Sequence, residues 1–268
     1  MKPRIGLVVS TMLDGIHRLH EHWHAGWDEV VVVHQIPGVT DDRYTEVHAQ
    51  LRAQGVQLIV QPFNGLSKSR NAGLAAVTAE YALITDDDVV FPPQVHECIH
   101  HAIAQYPQAD ILSMQIQTPE GTPFKSYASA AYRHTLRSIA RVSSIEMLMR
   151  TKAVQSLSLK FDERFGLGAP FATGEEFIFL NDALRAGARA YYVPTVISIH
   201  PLMSSGKILD APQCVNKGAM LARVYGRWSG LYSFAFAWKK RKALANGITV
   251  RQAMHLMATG RKQFRAHD

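Results

Sequence analysis

Apolar residues fall in short continuous runs through the first half of the chain: Arg4 to Thr11 (RIGLVVST), Glu29 to His34 (EVVVVH) and Val56 to Gln61 (VQLIVQ). Runs rich in β-branched residues and without polar alternation are expected of parallel strands covered on both faces. Asp42 to Gln54 and Asn71 to Ala79 read as helices, so strand and helix alternate. That order argues for a doubly wound open α/β sheet, whose ligands bind outside the carboxyl ends of the strands. Tyr81 to Thr85 (YALIT) is a fourth strand, and it ends on three consecutive carboxylates. Pro92-Pro93 start a helix running to Tyr106, because proline is tolerated in a first turn. Further along come a strand at Ile111 to Gln117, a strand candidate at Ser144 to Arg150 and a Gly-rich loop from Phe165 to Gly174. A helix from Glu175 to Ala186 and a strand from Tyr191 to His200 follow. A long helical stretch from Gln213 to Ala245 carries Met220, Leu221, Val224, Trp228, Leu231, Phe234 and Trp238.

With 268 residues, 47% of them hydrophobic, the chain can bury a sizeable core in one α/β domain with appended elements. Cys98 and Cys214 form neither a metal-ligand spacing nor a disulfide framework, which points to a reducing cytoplasm. The apolar run after Met1-Lys2-Pro3-Arg4 is short, reaches Asp14 and lacks a cleavage pattern, so it reads as a strand rather than a signal peptide. No apolar stretch approaches the roughly 20 residues of a membrane-spanning helix. The net charge of +7 favours polyanionic partners. Much of the excess lies in Lys239-Lys240-Arg241-Lys242, Arg261-Lys262 and Arg265, a bias that fits peripheral contact with an anionic membrane better than a groove for nucleic acid.

The strongest chemical signal is Asp86-Asp87-Asp88 at a strand's carboxyl end. Adjacent like charges repel unless a cation sits among them, and carboxylate oxygens suit Mg²⁺ or Mn²⁺ bridging to substrate phosphates. A solvated acidic turn is the bland reading, and the strand-end position is what weighs against it. Upstream, Gly65-Leu66-Ser67-Lys68-Ser69-Arg70-Asn71-Ala72-Gly73 links the third strand to a helix. Glycines give close backbone approach, a helix start offers free N–H groups, and Lys68 and Arg70 add positive charge for phosphate, although the same residues populate ordinary loops.

GLSKSRNAGL, YALITDDDV, KFDERFG, GEE, ALRAG and YYVPTVISIHP follow one another between Arg4 and Pro201. In that order they resemble the family 2 glycosyltransferases. The resemblance implies a GT-A fold, a mixed and mainly parallel sheet flanked by helices with a C-terminal helical extension. It divides the chain into a catalytic domain at 1–211, with a nucleotide-binding half at 1–108 and an acceptor-binding half at 109–211, and an extension at 212–268. It implies inverting transfer of a sugar from a nucleotide diphosphate, UDP being the commonest, to a glycan or lipid-linked glycan, in the cytoplasm or at the inner face of the membrane.

Asp86 and Asp88 then look like the ends of a D-x-D element, Asp86 towards ribose and metal and Asp88 on the Mn²⁺ or Mg²⁺ itself, with Asp87 between them in the nucleotide site. Ser10, Thr11, Gly65, Lys68, Arg70 and Asn71 look like parts of the nucleotide pocket. Glu176 matches the catalytic base, with Glu175 in reserve, where simple helix-dipole pairing is the competing account. His200 matches a late histidine that binds metal or diphosphate, where a satisfied core or surface histidine is the competing account. Lys207, after Ser204-Ser205-Gly206, reads either as a lid closing over the diphosphate or as part of an ordinary polar loop. Three departures stand out. His34-Gln35 occupies the place of a base-contacting aspartate, Asp182 replaces a helix arginine, and the Q-x-x-R-W element of processive synthases is absent, which favours one sugar per encounter.

Two rivals are a sugar nucleotidyltransferase and an inactive sugar-nucleotide or glycan-binding module. The first generally carries a Gly-rich basic loop after its first strand, where this chain has Ser10-Thr11-Met12-Leu13-Asp14; the second is disfavoured by the two intact acidic elements. His17, His20 and His24 share a helical spacing, but with Trp23 and Trp27 nearby they read as a partly packed surface helix rather than a metal site.

Overall fold

A computed structural model describes residues 2–19, 26–38, 41–201, 209–245 and 247–266. The apolar runs become β1 (Ile5–Met12), β2 (Glu29–Gln35), β3 (Gln57–Gln61) and β4 (Tyr81–Asp86), which pair in parallel. Val8, Val31, Val33 and Ile84 enter one core, while Leu7, Val9, Val32 and Leu83 enter another on the opposite face. Burial on both faces is why these runs lack alternation.

The second half of the sheet holds β5 (Ile111–Gln117), β6 (Tyr132–Arg133), β7 (Met147–Arg150) and β8 (Ala190–Ile199). β7 lies antiparallel between β4 and β5, β5 and β8 are parallel, and β6 is an antiparallel edge. The eight strands run β3-β2-β1-β4-β7-β5-β8-β6, a mixed and mainly parallel sheet. Helices α1 (Thr45–Ala53), α2 (Leu66–Ala76), α3 (Val95–Gln105), α4 (Thr151–Ser156) and α5 (Glu175–Arg185) flank it. α2 and α5 contribute Leu74, Phe177 and Leu180 to one core; α1 and α3 contribute Leu51 and Ile99 to the other.

Several boundaries differ from the sequence expectation. α2 begins at Leu66, not Asn71, because Gly65 takes the left-handed turn (φ 136°) from which the helix can start at once. Gly73 does not interrupt it, since a side chain there would lie 2.3 Å from Val8 Cγ1 and the helix needs that close approach to β1. α3 begins at Val95, because Pro92 closes a turn by accepting from the Val95 N–H. Ser144–Glu146 is a 3₁₀ turn ahead of β7, held by a capping box between Ser143 and Glu146.

The long C-terminal stretch is two helices, α6 (Ala211–Tyr225) and α7 (Ser229–Lys239), broken at Gly226 with φ 51°. A further helix, α8 (Val250–Ala266), was not expected from the sequence. Met220 of α6 and Phe264 of α8 join the core under α5. No helix among the described residues is long and apolar enough to cross a membrane. His17 lies in a 3₁₀ turn, Leu13–Arg18, whereas His20, Trp23 and His24 lie outside the described residues.

Candidate functional site

The carboxyl ends of β1, β2, β4 and β8, the start of α2 and the 165–174 loop enclose a cleft of about 380 Å³. Its wall includes Ser10, Thr11, Gln35, Gly65, Asp86, Asp87, Asp88, Gly168 and His200. Parallel strands and helix starts converge there, which is where open α/β sheets bind ligands. The two glycine loops touch: the Leu66 N–H donates to the Leu167 carbonyl at 2.9 Å, and a Cβ at Gly168 would come within 3.0 Å of the Gly65 nitrogen.

The three aspartates have different surroundings. Asp87 accepts from Thr11 Oγ1 at 2.5 Å and from Arg18 at 3.2 Å, which ties the end of β4 to the end of β1. Asp86 accepts from Arg70 at 3.2 Å, and burial pushes its carboxyl up while Arg70 opposes the rise. Asp88 pairs with His200 Nε2 at 3.3 Å, an interaction that lowers the Asp88 carboxyl and raises the His200 imidazole. His200 Nδ1 lies 2.8 Å from the Pro201 carbonyl, which fixes a proton on Nδ1 and aims Nε2 at Asp88. A backbone acceptor on one ring nitrogen is a feature of metal-binding histidines, and here the second nitrogen is taken by Asp88 itself. No group of three metal-ligating side chains occurs among the described residues. The Asp88 carboxylate and His200 imidazole are donor types that a divalent ion can take when phosphate oxygens supply the rest.

Three residues expected at the nucleotide do not line the cleft. Arg70 is 1% exposed, on the inner face of α2, with Nη1 donating to Glu175 at 3.1 Å and Nη2 to Asp86 and to Ser144 Oγ at 3.2 and 2.8 Å. Its charge holds acids rather than phosphate. Asn71 bonds the backbone of Phe161 through both ends of its amide. Lys68 stands over the Phe63 ring and is absent from the cleft wall. All three lie within α2 because it starts at Leu66, which sends Arg70 to its buried side and leaves Lys68 and Asn71 on other faces. Lys207 and its serines lie outside the described residues.

Glu175 and Glu176 open α5 just after Gly174. Glu175 is locked by Arg70, whereas Glu176 carries no ion pair among the described residues. Burial and the adjacent Glu175 charge push the Glu176 carboxyl up to about 7. Lys217 of α6, which sequence reading passed over, faces the pair; burial lowers its ammonium and the glutamates oppose that, while Nζ donates to Thr173 at 3.1 Å. Its only sequence signal is a lone lysine in an otherwise apolar helical stretch. Gln35, a departure from the family pattern, has its side chain in the cleft wall at 4% exposure, with no partner for Oε1 among the described residues. A second cavity of about 180 Å³ holds Lys125, Tyr127, His134, Glu146 and Tyr192. Burial takes His134 down to about 4, so it is neutral.

Sheet order and cleft together define the GT-A class of nucleotide-sugar transferase folds. The family described as glycosyl transferase family 2 matches residues 26–161, half of the chain, and the chain belongs to that family. No curated protein shows significant sequence similarity. Solved structures of similar fold include S. aureus TarS, at 15% identity and TM-score 0.58, covering 88% of this chain and 42% of TarS. They also include TarS 1–349 with UDP-GlcNAc, at 13% identity and TM-score 0.59, covering 99% of this chain and 92% of that one. TarS 1–349 with UDP aligns over the same shares at 14% identity and TM-score 0.55.

Proposed function

We propose that this family 2 glycosyltransferase moves a sugar from a UDP-sugar to a hydroxyl of a glycan or lipid-linked glycan, inverting the anomeric centre. The observation that carries the reading is Arg70, whose single guanidinium bonds the aspartate ending β4 and the glutamate opening α5, making donor cleft and acidic pair one site. On this reading residues 1–211 form the catalytic domain and 212–268 the helical extension. Asp88 and His200, with Asp86 beside them, would hold Mn²⁺ or Mg²⁺, which when bound offsets the charge gathering on the leaving diphosphate. Gly65 and the start of α2 present the positive end of a helix dipole to the same phosphates.

Gln35 supports the uridine assignment. Its unpartnered Oε1 is a buried acceptor for the imide N–H of uracil, and its amide N–H₂ suits the adjoining carbonyl. The likeness to a fold crystallised with UDP-GlcNAc supports the same donor. Glu176, half-buried and unpaired, accepts the proton of the acceptor hydroxyl. The hydroxyl oxygen bonds to the anomeric carbon from the face opposite the nucleotide, the bond from that carbon to the phosphate oxygen breaks, and UDP departs with the electron pair. Glu176 then returns its proton to solvent.

Incubation with UDP-, GDP-, CDP- and dTDP-sugars, each with Mn²⁺ or Mg²⁺, tests this by nucleotide release and thermal shift. Release of UDP and a divalent-dependent shift with UDP alone are expected. Pyrophosphate release from a nucleoside triphosphate and sugar phosphate would instead make it a nucleotidyltransferase, and binding without any turnover would make it an inactive module.

A further inference from the structure

α7 is inside out. Ser229, Ser233 and Ala237, one residue per turn, are buried, while Trp228, Leu231, Tyr232, Phe234 and Trp238 point to solvent. Trp228 and Trp238 are each 57% exposed and Leu231 is 64% exposed. A helix packing for stability alone would turn these faces round, because each large apolar side chain left in water forgoes about 1.5–3 kcal/mol of burial. Contiguous exposed apolar residues on one helix face mark a docking surface.

Charge identifies what docks. The stretch from 211 to 266 contains eleven lysines and arginines and no aspartate or glutamate. All 22 acidic residues lie elsewhere, where they outnumber lysine and arginine, so the protein's positive charge belongs to these helices. The bases bracket the aromatic face: Arg227 stands over the Trp228 ring at 5.2 Å, Arg241 over Trp238 at 5.2 Å, and Lys239, Lys240 and Lys242 are exposed beside them. Trp, Phe and Leu on one face, flanked by bases, is the composition of a helix lying in the interface of an anionic bilayer.

We infer that α7 and residues 239–242 dock this protein on an anionic membrane surface, aromatic side chains entering the headgroup region and lysines meeting lipid phosphate. A protein partner would need an acidic, apolar surface of its own, whereas a bilayer containing anionic lipid supplies both features continuously. With no spanning helix among the described residues, the contact is peripheral. It places the extension at the surface where a lipid-linked acceptor would lie, but does not depend on the reaction.

The test floats the full chain with vesicles of phosphatidylcholine alone or mixed with phosphatidylglycerol, without donor or acceptor, so its outcome is separate from catalysis. At least tenfold stronger binding to the phosphatidylglycerol vesicles is expected, with a blue shift of tryptophan emission. Trp228→Ser with Trp238→Ser should weaken binding at least tenfold while leaving the melting temperature unchanged, because both side chains are exposed. Changing Lys239, Lys240, Arg241 and Lys242 to glutamine should abolish the preference for anionic lipid. No binding to either vesicle overturns the proposal, as does equal binding to both. Self-association that disappears in the tryptophan variant, without vesicle binding, would assign the face to a second copy and overturn it as well.

Discussion

Replacing Glu176 with glutamine separates what this residue does for chemistry from what it does to the fold. Glu176 sits beside Glu175, faces Lys217 and lies near Arg70, and burial is the largest influence on it. Its carboxyl titrates at about 7 in the folded protein against an ordinary 4.5, so between those values the folded chain holds a proton that the unfolded chain has released. The contribution of this group to stability is therefore fully present below pH 4.5 and is lost as pH rises to about 7. Allowing for partial solvent access and for the attraction of Lys217, the ionised side chain costs the fold ~1–3 kcal/mol above that range. Glutamine keeps the shape and cannot ionise. Its melting temperature should match wild type near pH 4.5 and exceed it by about 2–8 °C at pH 8.

Activity should move the other way. Loss of a general base lowers kcat by about 10²–10⁴. UDP binding should persist, since Glu176 is outside the donor cleft. In the wild type, kcat/KM should climb with pH through an apparent pKa near 7, that of Glu176. Scanning fluorimetry from pH 4.5 to 8.5, beside a UDP-release assay, measures both. A melting difference that does not change with pH refutes the elevated carboxyl, and a variant that keeps a tenth or more of wild-type kcat moves the base elsewhere.

Asp88→Ala removes the carboxylate facing His200, so turnover should fall at least about 100-fold and the thermal shift that divalent ions add to UDP should vanish. Arg70→Met strands Asp86 and Glu175 beside an apolar chain; a loss of ~3–5 kcal/mol in urea unfolding is expected, and a loss under ~1 kcal/mol would show the guanidinium is not the bridge described. Gly218→Ala puts a Cβ 2.1 Å from the Met257 carbonyl oxygen, where backbone rather than a flexible side chain must yield, so α6 and α8 should separate at a cost of ~1–3 kcal/mol. Thermal unfolding indistinguishable from wild type would mean the two helices do not approach so closely.

β1, β2 and β4 were legible because they are buried on both faces, which leaves an unbroken apolar run, whereas the two-residue exposed edge strand β6 left no such signal. The acidic elements were legible for a related reason: carboxylates at a strand's end and at a helix start are conspicuous in any sequence. α2 was not, since Gly, Ser, Lys and Arg look like loop, and its first turns bury Ser67, Ser69, Arg70 and Gly73, with Leu74 as the one large apolar residue among its buried positions. A helix started at Leu66 would have put Arg70 on that buried face with Ser67 and Gly73, three residues to either side, and so turned it away from the nucleotide. α8 escaped for the opposite reason. It packs on α6 through Ala253, Met257 and Gly260, and small contact residues leave little hydrophobic signal even where helix backbones meet.

A buried arginine is an expensive way to join two acidic elements unless their ionisation matters. Methionine would fill the space at Arg70 without desolvating a charge, and Arg70 Nε has no partner among the described residues. What the guanidinium supplies is opposition to burial: without it, Asp86 would be driven towards a neutral acid, useless to a cation, and Glu175 would lose the anchor that sets its direction. The third bond fixes the guanidinium itself. Ser144, which receives Nη2, sits in the turn capped by Ser143 and Glu146, and Glu146 is gripped by Lys125 at 2.8 Å and Tyr127 at 2.5 Å. The polar cluster between β5 and β8 thus reaches the cleft without touching it, by holding the serine that aims the arginine opposing the upward shift of Asp86. The charge at the end of β4 is tied to packing in the other half of the sheet, through one serine in the turn ahead of β7.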